Sequence, residues 1–268
     1  TGTGKTTLGR LLFRFYDPTV GRVTVDGKDI RDVTLESLRS AVGVVPQDAV
    51  LFNESLYYNI AFGRYSATRE EVEQAAELAH LHKFIKQLPD GYDTIVGERG
   101  LKLSGGQKQR VCIARAIALN PDLIICDEPV SALDVSIQVQ ILNLLKDLQE
   151  ELNLTYLFIA HNLAVVAHIS DRIGVMYLGK LIEVGPTGAV TDNAQHPYTQ
   201  SLLSAVPEIS KRRQKERIQL AGDVPSPVNP PSGCRFHPRC PIAKADCAEH
   251  EPELKQNDSG HWVACHYA

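Results

Sequence analysis

Residues 1–206 alternate short apolar runs with stretches whose apolar positions recur about every 3.6 residues. That is the pattern of an α/β fold on a mostly parallel sheet. Val42–Val45, Leu123–Cys126, Thr155–Ala160 and Arg172–Tyr177 are short and apolar, as strands buried on both faces should be. Arg22–Val25 followed by Asp26-Gly27 predicts a strand entering a tight turn. Helical spacing covers Leu8–Phe15, Gly105–Leu119 and Ser136–Leu152, and Thr68-Arg69-Glu70-Glu71 has the form of a capping box. From Pro207 the character changes. Lys211–Arg217 is a charge run, and the Pro- and Ser-rich stretch 225–231 must be extended or turning. No internal repeat is present. No apolar run approaches the ~18 residues of a membrane span; the longest, Tyr156–Ala160 and Leu163–Ala167, are separated by His161 and Asn162.

A chain of 268 residues makes one large domain or two small ones and can bury a substantial core. Its formal charge of −4 argues against a duplex-DNA binder, so no nucleic-acid partner is expected. The first residue is Thr1 rather than Met, and no secretory signal follows, so the expectation is a chain that begins inside a longer one, in a reducing compartment. Of the six cysteines, Cys112 and Cys126 sit among apolar residues and read as core. Cys234, Cys240, Cys247 and Cys265 crowd the C-terminus, which in a reducing compartment suggests metal more than disulfide.

The chain opens Thr1-Gly2-Thr3-Gly4-Lys5-Thr6-Thr7 ahead of a helical pattern, the end of G-x-x-x-x-G-K-[ST]. Small residues let backbone N–H groups wrap phosphate oxygens, and a helix N-terminus adds partial positive charge. Lys5 would supply a full charge to the β- and γ-phosphates, and Thr6 a hydroxyl to Mg²⁺. A plain glycine-rich turn is the alternative for this segment alone. Further on, Leu123–Cys126 ends in Asp127-Glu128. One carboxylate there can hold the Mg²⁺ shell while the next polarises an attacking water. Leu103-Ser104-Gly105-Gly106-Gln107 opens a helix as a second anion nest, with a simple Ser104 N-cap as the alternative.

In this order the motifs resemble the ATP-binding subunit of an ABC (ATP-binding cassette) transporter. The phosphate loop ends in Gly4-Lys5-Thr6-Thr7. A Q-loop follows at Pro46-Gln47-Asp48, then a signature at Leu103–Gln107, Walker B at Asp127-Glu128, a D-loop at Ser131-Ala132-Leu133-Asp134 and a switch histidine at His161. The resemblance implies an ATPase with ATP and Mg²⁺, the metal held through Thr6, Gln47 and Asp127. It implies that Glu128, His161 and Gln47 act in catalysis, and that Gly2, Gly4, Lys5, Thr6, Thr7 and Asp127 contact one nucleotide. Ser104, Gly105, Gly106 and Gln107 would face the nucleotide of a second cassette subunit, in a homo- or heterodimer, and Asp134 of the D-loop would be a further nucleotide-binding residue. The fold implied is a P-loop NTPase cassette with a mostly parallel sheet and a helical subdomain, about residues 51–120, plus a small cysteine-rich C-terminal extension. The domain division implied is a cassette over 1–206 lacking its N-terminal strands, a linker over 207–232 and a metal-binding tail over 233–268.

The resemblance has two colours. Residues up to about 106 are similar to heavy-metal and iron–sulfur-precursor exporter cassettes, through Phe13-Arg14-Phe15-Tyr16-Asp17-Pro18 and Gly91–Gly100. From Gln107 the chain is similar to dipeptide and oligopeptide importer ATPases, through Asp127–Ser136, His196-Pro197-Tyr198-Thr199 and Pro230–Pro241. A hybrid joined near residue 107 is one expectation. Peptide import is the leading function, with transmembrane permease subunits, a periplasmic or extracellular substrate-binding protein, and a peripheral place on the cytoplasmic face of the inner membrane. Heavy-metal or glutathione-conjugate export and an inactive cassette fragment are the alternatives. The importer resemblance implies a 4Fe-4S cluster on Cys234, Cys240, Cys247 and Cys265; zinc held by a mix of these cysteines with His237, His261 or His266 is the competitor, and two disulfides or free thiols are the plain alternative.

Overall fold

Three separate sheets, rather than one, hold the strands found among the described residues. This computed structural model describes residues 4–100, 102–206, 217–257 and 260–268. The chain divides into two compact units, Thr6–Ala160, and Thr1–Lys5 with His161–Ala268. Gly2 and the run 211–216 lie outside the described residues.

The unit 6–160 follows α1 (Lys5–Leu12) with a hairpin of β1 (Thr24–Val25) and β2 (Lys28–Asp29). Its turn is Asp26-Gly27, at φ +49° and +77°, the left-handed pair that a two-residue hairpin turn requires. Then come α2 (Leu35–Ser40), β3 (Val42–Val45), α3 (Leu56–Ala61), α4 (Arg69–Leu78), α5 (His82–Lys86), α6 (Gly105–Ile117), β4 (Leu123–Asp127), α7 (Val135–Leu152) and β5 (Thr155–Ile159). β3, β4 and β5 form the parallel sheet, with Val42 opposite Leu123 and Leu123 opposite Thr155. Its core gathers Val42, Ile125 and Ile159, with Leu12, Phe13 and Leu157 packed against them. The expected capping box forms: Thr68 accepts from Glu71 N at 3.3 Å while Glu71 accepts from Thr68 N at 2.8 Å. α6 is tied to α3 through Arg115, whose Nε donates to Asn59 O at 2.8 Å. A Cβ at Gly63 would lie 2.1 Å from Arg115 O, so only glycine permits this approach.

The unit containing 161–268 has α8 (Leu163–Ile169), β6 (Arg172–Tyr177), β7 (Lys180–Pro186), α9 (Thr187–Asp192), α10 (Pro197–Ser204), α11 (Asp246–Glu249), β8 (Lys255–Gln256) and β9 (Trp262–Val263). Its sheet runs β6-β7-β9-β8 and is antiparallel throughout. This corrects the mostly parallel expectation. Residues 172–177 alternate exposed and buried positions instead of being buried on both faces. Leu178 and Gly179, at φ +43° and +80°, turn the chain straight back into β7. The small separate cysteine-rich extension is corrected too. β9 pairs with β7, and Phe236, Cys234 and Cys240 join the core made by Ile173, Val175, Tyr177 and Ile182. Among the described residues no helix is long and apolar enough to cross a membrane.

A buried polar network fastens β9 and the start of α10 to β7. Glu183 is wholly buried and accepts hydrogen bonds from His261 Nε2 at 2.8 Å, Gln195 N at 2.7 Å and His196 N at 3.2 Å. Three donors around one carboxylate satisfy a charge that burial alone would penalise heavily. His196 caps α10, its Nδ1 accepting from Tyr198 N at 3.1 Å, and burial pushes its pKa down to about 4. The folded value lies below the ordinary one, so between the two the unfolded chain binds more protons. Stability should therefore fall as the pH drops from about 6.5 towards about 4, by about 3 kcal/mol in all. Urea unfolding at several pH values reads this slope. His196→Asn, which can still cap the helix, should flatten it.

Candidate functional site

Gly4 has φ +83°, a left-handed turn into α1, and Lys5 is the first residue of that helix. The first turn of α1 carries no acidic residue to neutralise the N-terminal dipole, so Thr6 and Thr7 offer their N–H groups beside it to an anion. Thr6 Oγ1 donates to Asp127 Oδ1 at 3.4 Å, bringing together the two side chains read as Mg²⁺ ligands. That spacing and the hydroxyl–carboxylate donor set fit a hard divalent cation.

Asp127 is the last residue of β4, delivered to the carboxyl edge of a parallel sheet. Glu128 follows at φ +49°, a conformation few non-glycine residues adopt. It is held there by its N–H to Ile159 O at 2.9 Å and by Ser131, whose N and Oγ donate to Glu128 O at 3.2 and 3.1 Å. A carboxylate kept in a strained turn at a sheet edge is a feature of functional sites. Asp134 occupies the N-cap position of α7 with no side-chain cap bond.

Gln47 is exposed, two residues past the end of β3. The signature forms a complete capping box, with Ser104 N donating to Gln107 Oε1 at 2.9 Å and Gln107 N to Ser104 Oγ at 3.3 Å. Both side chains are thus engaged with each other, and the N–H groups of Gly105 and Gly106 lie in the first turn, where no helical carbonyl can take them. A Cβ would lie 3.0 Å from Leu133 Cδ2 at Gly105 and 2.8 Å from Ile137 Cγ2 at Gly106, so a side chain at either position would have to displace a methyl group of the D-loop or of α7. A cavity of about 620 Å³ joins three of the motifs, lined by Gln47 and Asp48, by Gly105, and by Ala132 and Leu133. Gln109 also lines it and donates to Pro46 O at 3.4 Å, tying α6 to the Q-loop. Sequence reasoning passed over Gln109, and its signal was a polar residue at a core position of the α6 period.

Lys5, the first residue of α1, and His161 are assigned to the other compact unit, whereas Thr6, Asp127, Glu128, Gln47 and the signature belong to the unit 6–160. His161 follows β5 immediately before Asn162, which caps α8 by accepting from Ala164 N at 3.0 Å. The four C-terminal cysteines are free thiols. Cys234 N donates to Cys247 O at 2.8 Å, and burial, then the neighbouring thiols Cys247, Cys240 and Cys265, raise the Cys234 pKa. Yet among the described residues no three His, Cys, Asp or Glu side chains are gathered to hold a metal ion.

Residues 1–131 match the family profile described as ABC transporter. The chain is 46% identical over 287 aligned residues to "Oligopeptide transport ATP-binding protein AppF" of Bacillus subtilis, covering 99% of this chain and 83% of that protein. The chain belongs to the ABC transporter ATP-binding family. This ABC protein is accordingly an ATP-binding ATPase cassette. Its residues 182–247 also match the profile "Oligopeptide/dipeptide transporter, C-terminal region". It is 44% identical over 99% of its length to "Probable peptide ABC transporter ATP-binding protein y4tS" of Sinorhizobium fredii, covering 76% of that protein. Among solved structures it is similar to "Structure of a bacterial Atm1-family ABC exporter with ATP bound", at 49% identity and TM-score 0.65, over 72% of this chain and 33% of that one. Relatives that run through residue 107 at 46% and 44% identity give the expected join no support.

Proposed function

We propose that this ABC protein is the ATP-hydrolysing subunit of a dipeptide or oligopeptide importer. The observation that carries the reading is that relatives named for peptide transport match 99% of the chain, C-terminal region included. In this reading it works in a pair with a second cassette subunit, on transmembrane permease subunits at the cytoplasmic face of the inner membrane. A substrate-binding protein delivers the peptide, and no nucleic acid takes part. The nucleotide-binding residues fall in a cassette over 1–206, followed by a linker over 207–232 and a tail over 233–268.

The roles follow from chemistry. Lys5 neutralises the β- and γ-phosphates, with Gly2, Gly4 and Thr7 supplying backbone N–H groups. Mg²⁺, when bound, offsets the phosphate charge, and Thr6, Asp127 and Gln47 are the residues that would hold it. Glu128 accepts a proton from the attacking water, and His161 contacts the γ-phosphate. Ser104, Gly105, Gly106 and Gln107 serve the nucleotide of the partner subunit, and Asp134 is a further nucleotide-binding residue. Tight binding of ATP to the closed pair, and its loss on hydrolysis, shift the population between closed and open dimers. Lys5→Ala should weaken ATP binding at least tenfold, read with a fluorescent ATP analogue, and unchanged affinity would remove Lys5 from the site.

Export is the second reading, favoured by the 49% identity to the Atm1-family exporter structure. Peptide-named relatives matching the tail as well as the cassette favour import. Metal binding by Cys234, Cys240, Cys247 and Cys265 belongs to the proposal as well, supported by four free thiols, of which the other three lie near enough to Cys234 to help raise its pKa. Anaerobically purified protein should contain about four irons and four acid-labile sulfides per chain. Cys247→Ser should lower that content. One zinc and no sulfide would favour zinc instead.

A further inference from the structure

A second cavity, of about 410 Å³, lies wholly within the unit that contains residues 161–268. Its volume is in the range of small-molecule sites, roughly 300–1,000 Å³. None of its lining residues belongs to the nucleotide motifs. Leu181, Phe236 and Leu254 give it apolar walls, with Phe236 buried in the core beneath. Four charged residues line it as well. Lys180 and Glu251 are already joined, Nζ to Oε1 at 2.6 Å, and neutralise each other. The other two are Arg235 and Glu253. Arg235 spends Nη1 on Leu178 O, leaving further donors of its planar fork for a ligand. Glu253 makes no hydrogen bond or ion pair among the described residues.

A cavity with apolar walls, one available cation and one available anion is complementary to a molecule that is oppositely charged at its ends and carries apolar side chains between them. We propose that this cavity binds an apolar zwitterion of dipeptide size, its carboxylate on the Arg235 guanidinium and its ammonium on the Glu253 carboxylate. Arginine suits the carboxylate end because its fork can donate two parallel hydrogen bonds. The apolar walls offer burial to the ligand's apolar side chains, while Glu253 meets the ammonium at the exposed rim. The proposal stands independently of the cargo assigned above, since it rests on this cavity alone.

The chain carries its own reporter. Trp262 is its single tryptophan and lies in β9, two residues before Ala264, which lines the cavity. Titrating the purified chain with the dipeptide Leu-Leu should give a saturable change in tryptophan emission, with matching heat in calorimetry. Leu-Leu amide, lacking the carboxylate, and N-acetyl-Leu-Leu, lacking the ammonium, should each bind about tenfold more weakly. Free leucine should also bind more weakly than Leu-Leu, which separates a dipeptide from an amino acid. Arg235→Gln should abolish discrimination against the amide. Glu253→Gln, at an exposed position that should not disturb folding, should abolish discrimination against the acetylated peptide. It keeps the test alive if Arg235→Gln melts early. No saturable signal, equal affinity for the blocked peptides, or leucine binding as tightly as Leu-Leu would each overturn the proposal. Such a failure would leave ATP binding and its loss in Lys5→Ala untouched.

Discussion

Glu128→Gln should lower the rate of ATP hydrolysis by at least about a hundredfold while ATP still binds. The amide keeps the size of the side chain but cannot accept a proton from water, and general-base catalysis is worth about 10²–10⁴ in rate. The backbone bonds from Glu128 N to Ile159 O and from Ser131 to Glu128 O do not involve the altered group, so the strained turn should persist. With chemistry blocked and binding intact, the variant should accumulate as an ATP-bound dimer on size-exclusion chromatography. Hydrolysis at the parent rate would show that the proton goes elsewhere.

Glu183→Ala should destabilise the C-terminal unit by about 3–5 kcal/mol, because each buried donor left without a partner costs about 1–3 kcal/mol. Glu183 is wholly buried and satisfies His261 Nε2 and the N–H groups of Gln195 and His196. Its loss orphans all three and unpins β9 from β7. Urea unfolding followed by Trp262 emission should show an early transition that reports β9 leaving the sheet. A change under about 1 kcal/mol would mean that strand pairing alone holds the tail, as an ordinary exposed substitution would suggest.

Local signals were legible in the sequence and long-range ones were not. Val42–Val45 and the capping box at Thr68 and Glu71 follow from residues adjacent in the chain, and the structure places them where the pattern does. The Ser104 N-cap was legible as the alternative to an anion nest, whereas the reciprocal bond from Gln107 that completes the capping box was not. β7 was missed because Glu183 puts a charge, and Gly185 and Pro186 put breakers, into what reads as loop. The charge is buried only because His261, far along the chain, meets it. The antiparallel sheet hinged on Leu178-Gly179, where a leucine at positive φ gives no warning in sequence. At the site, Asp127 and Glu128 were legible from an apolar strand ending in acids, whereas the cavity that joins Gln47, Gly105 and Leu133 depends on three loops meeting in space. Cysteine spacing suggested a metal, but spacing says nothing of how close the thiols come.

Steady-state ATP hydrolysis by this protein assembled with its permease subunits, with and without peptide-loaded binding protein, tests the central claim most directly. The account predicts hydrolysis that peptide-loaded binding protein stimulates several-fold and that Glu128→Gln abolishes. Hydrolysis indifferent to peptide on every permease that binds the chain would contradict peptide import, and its absence from the intact assembly would contradict the ATPase role as well.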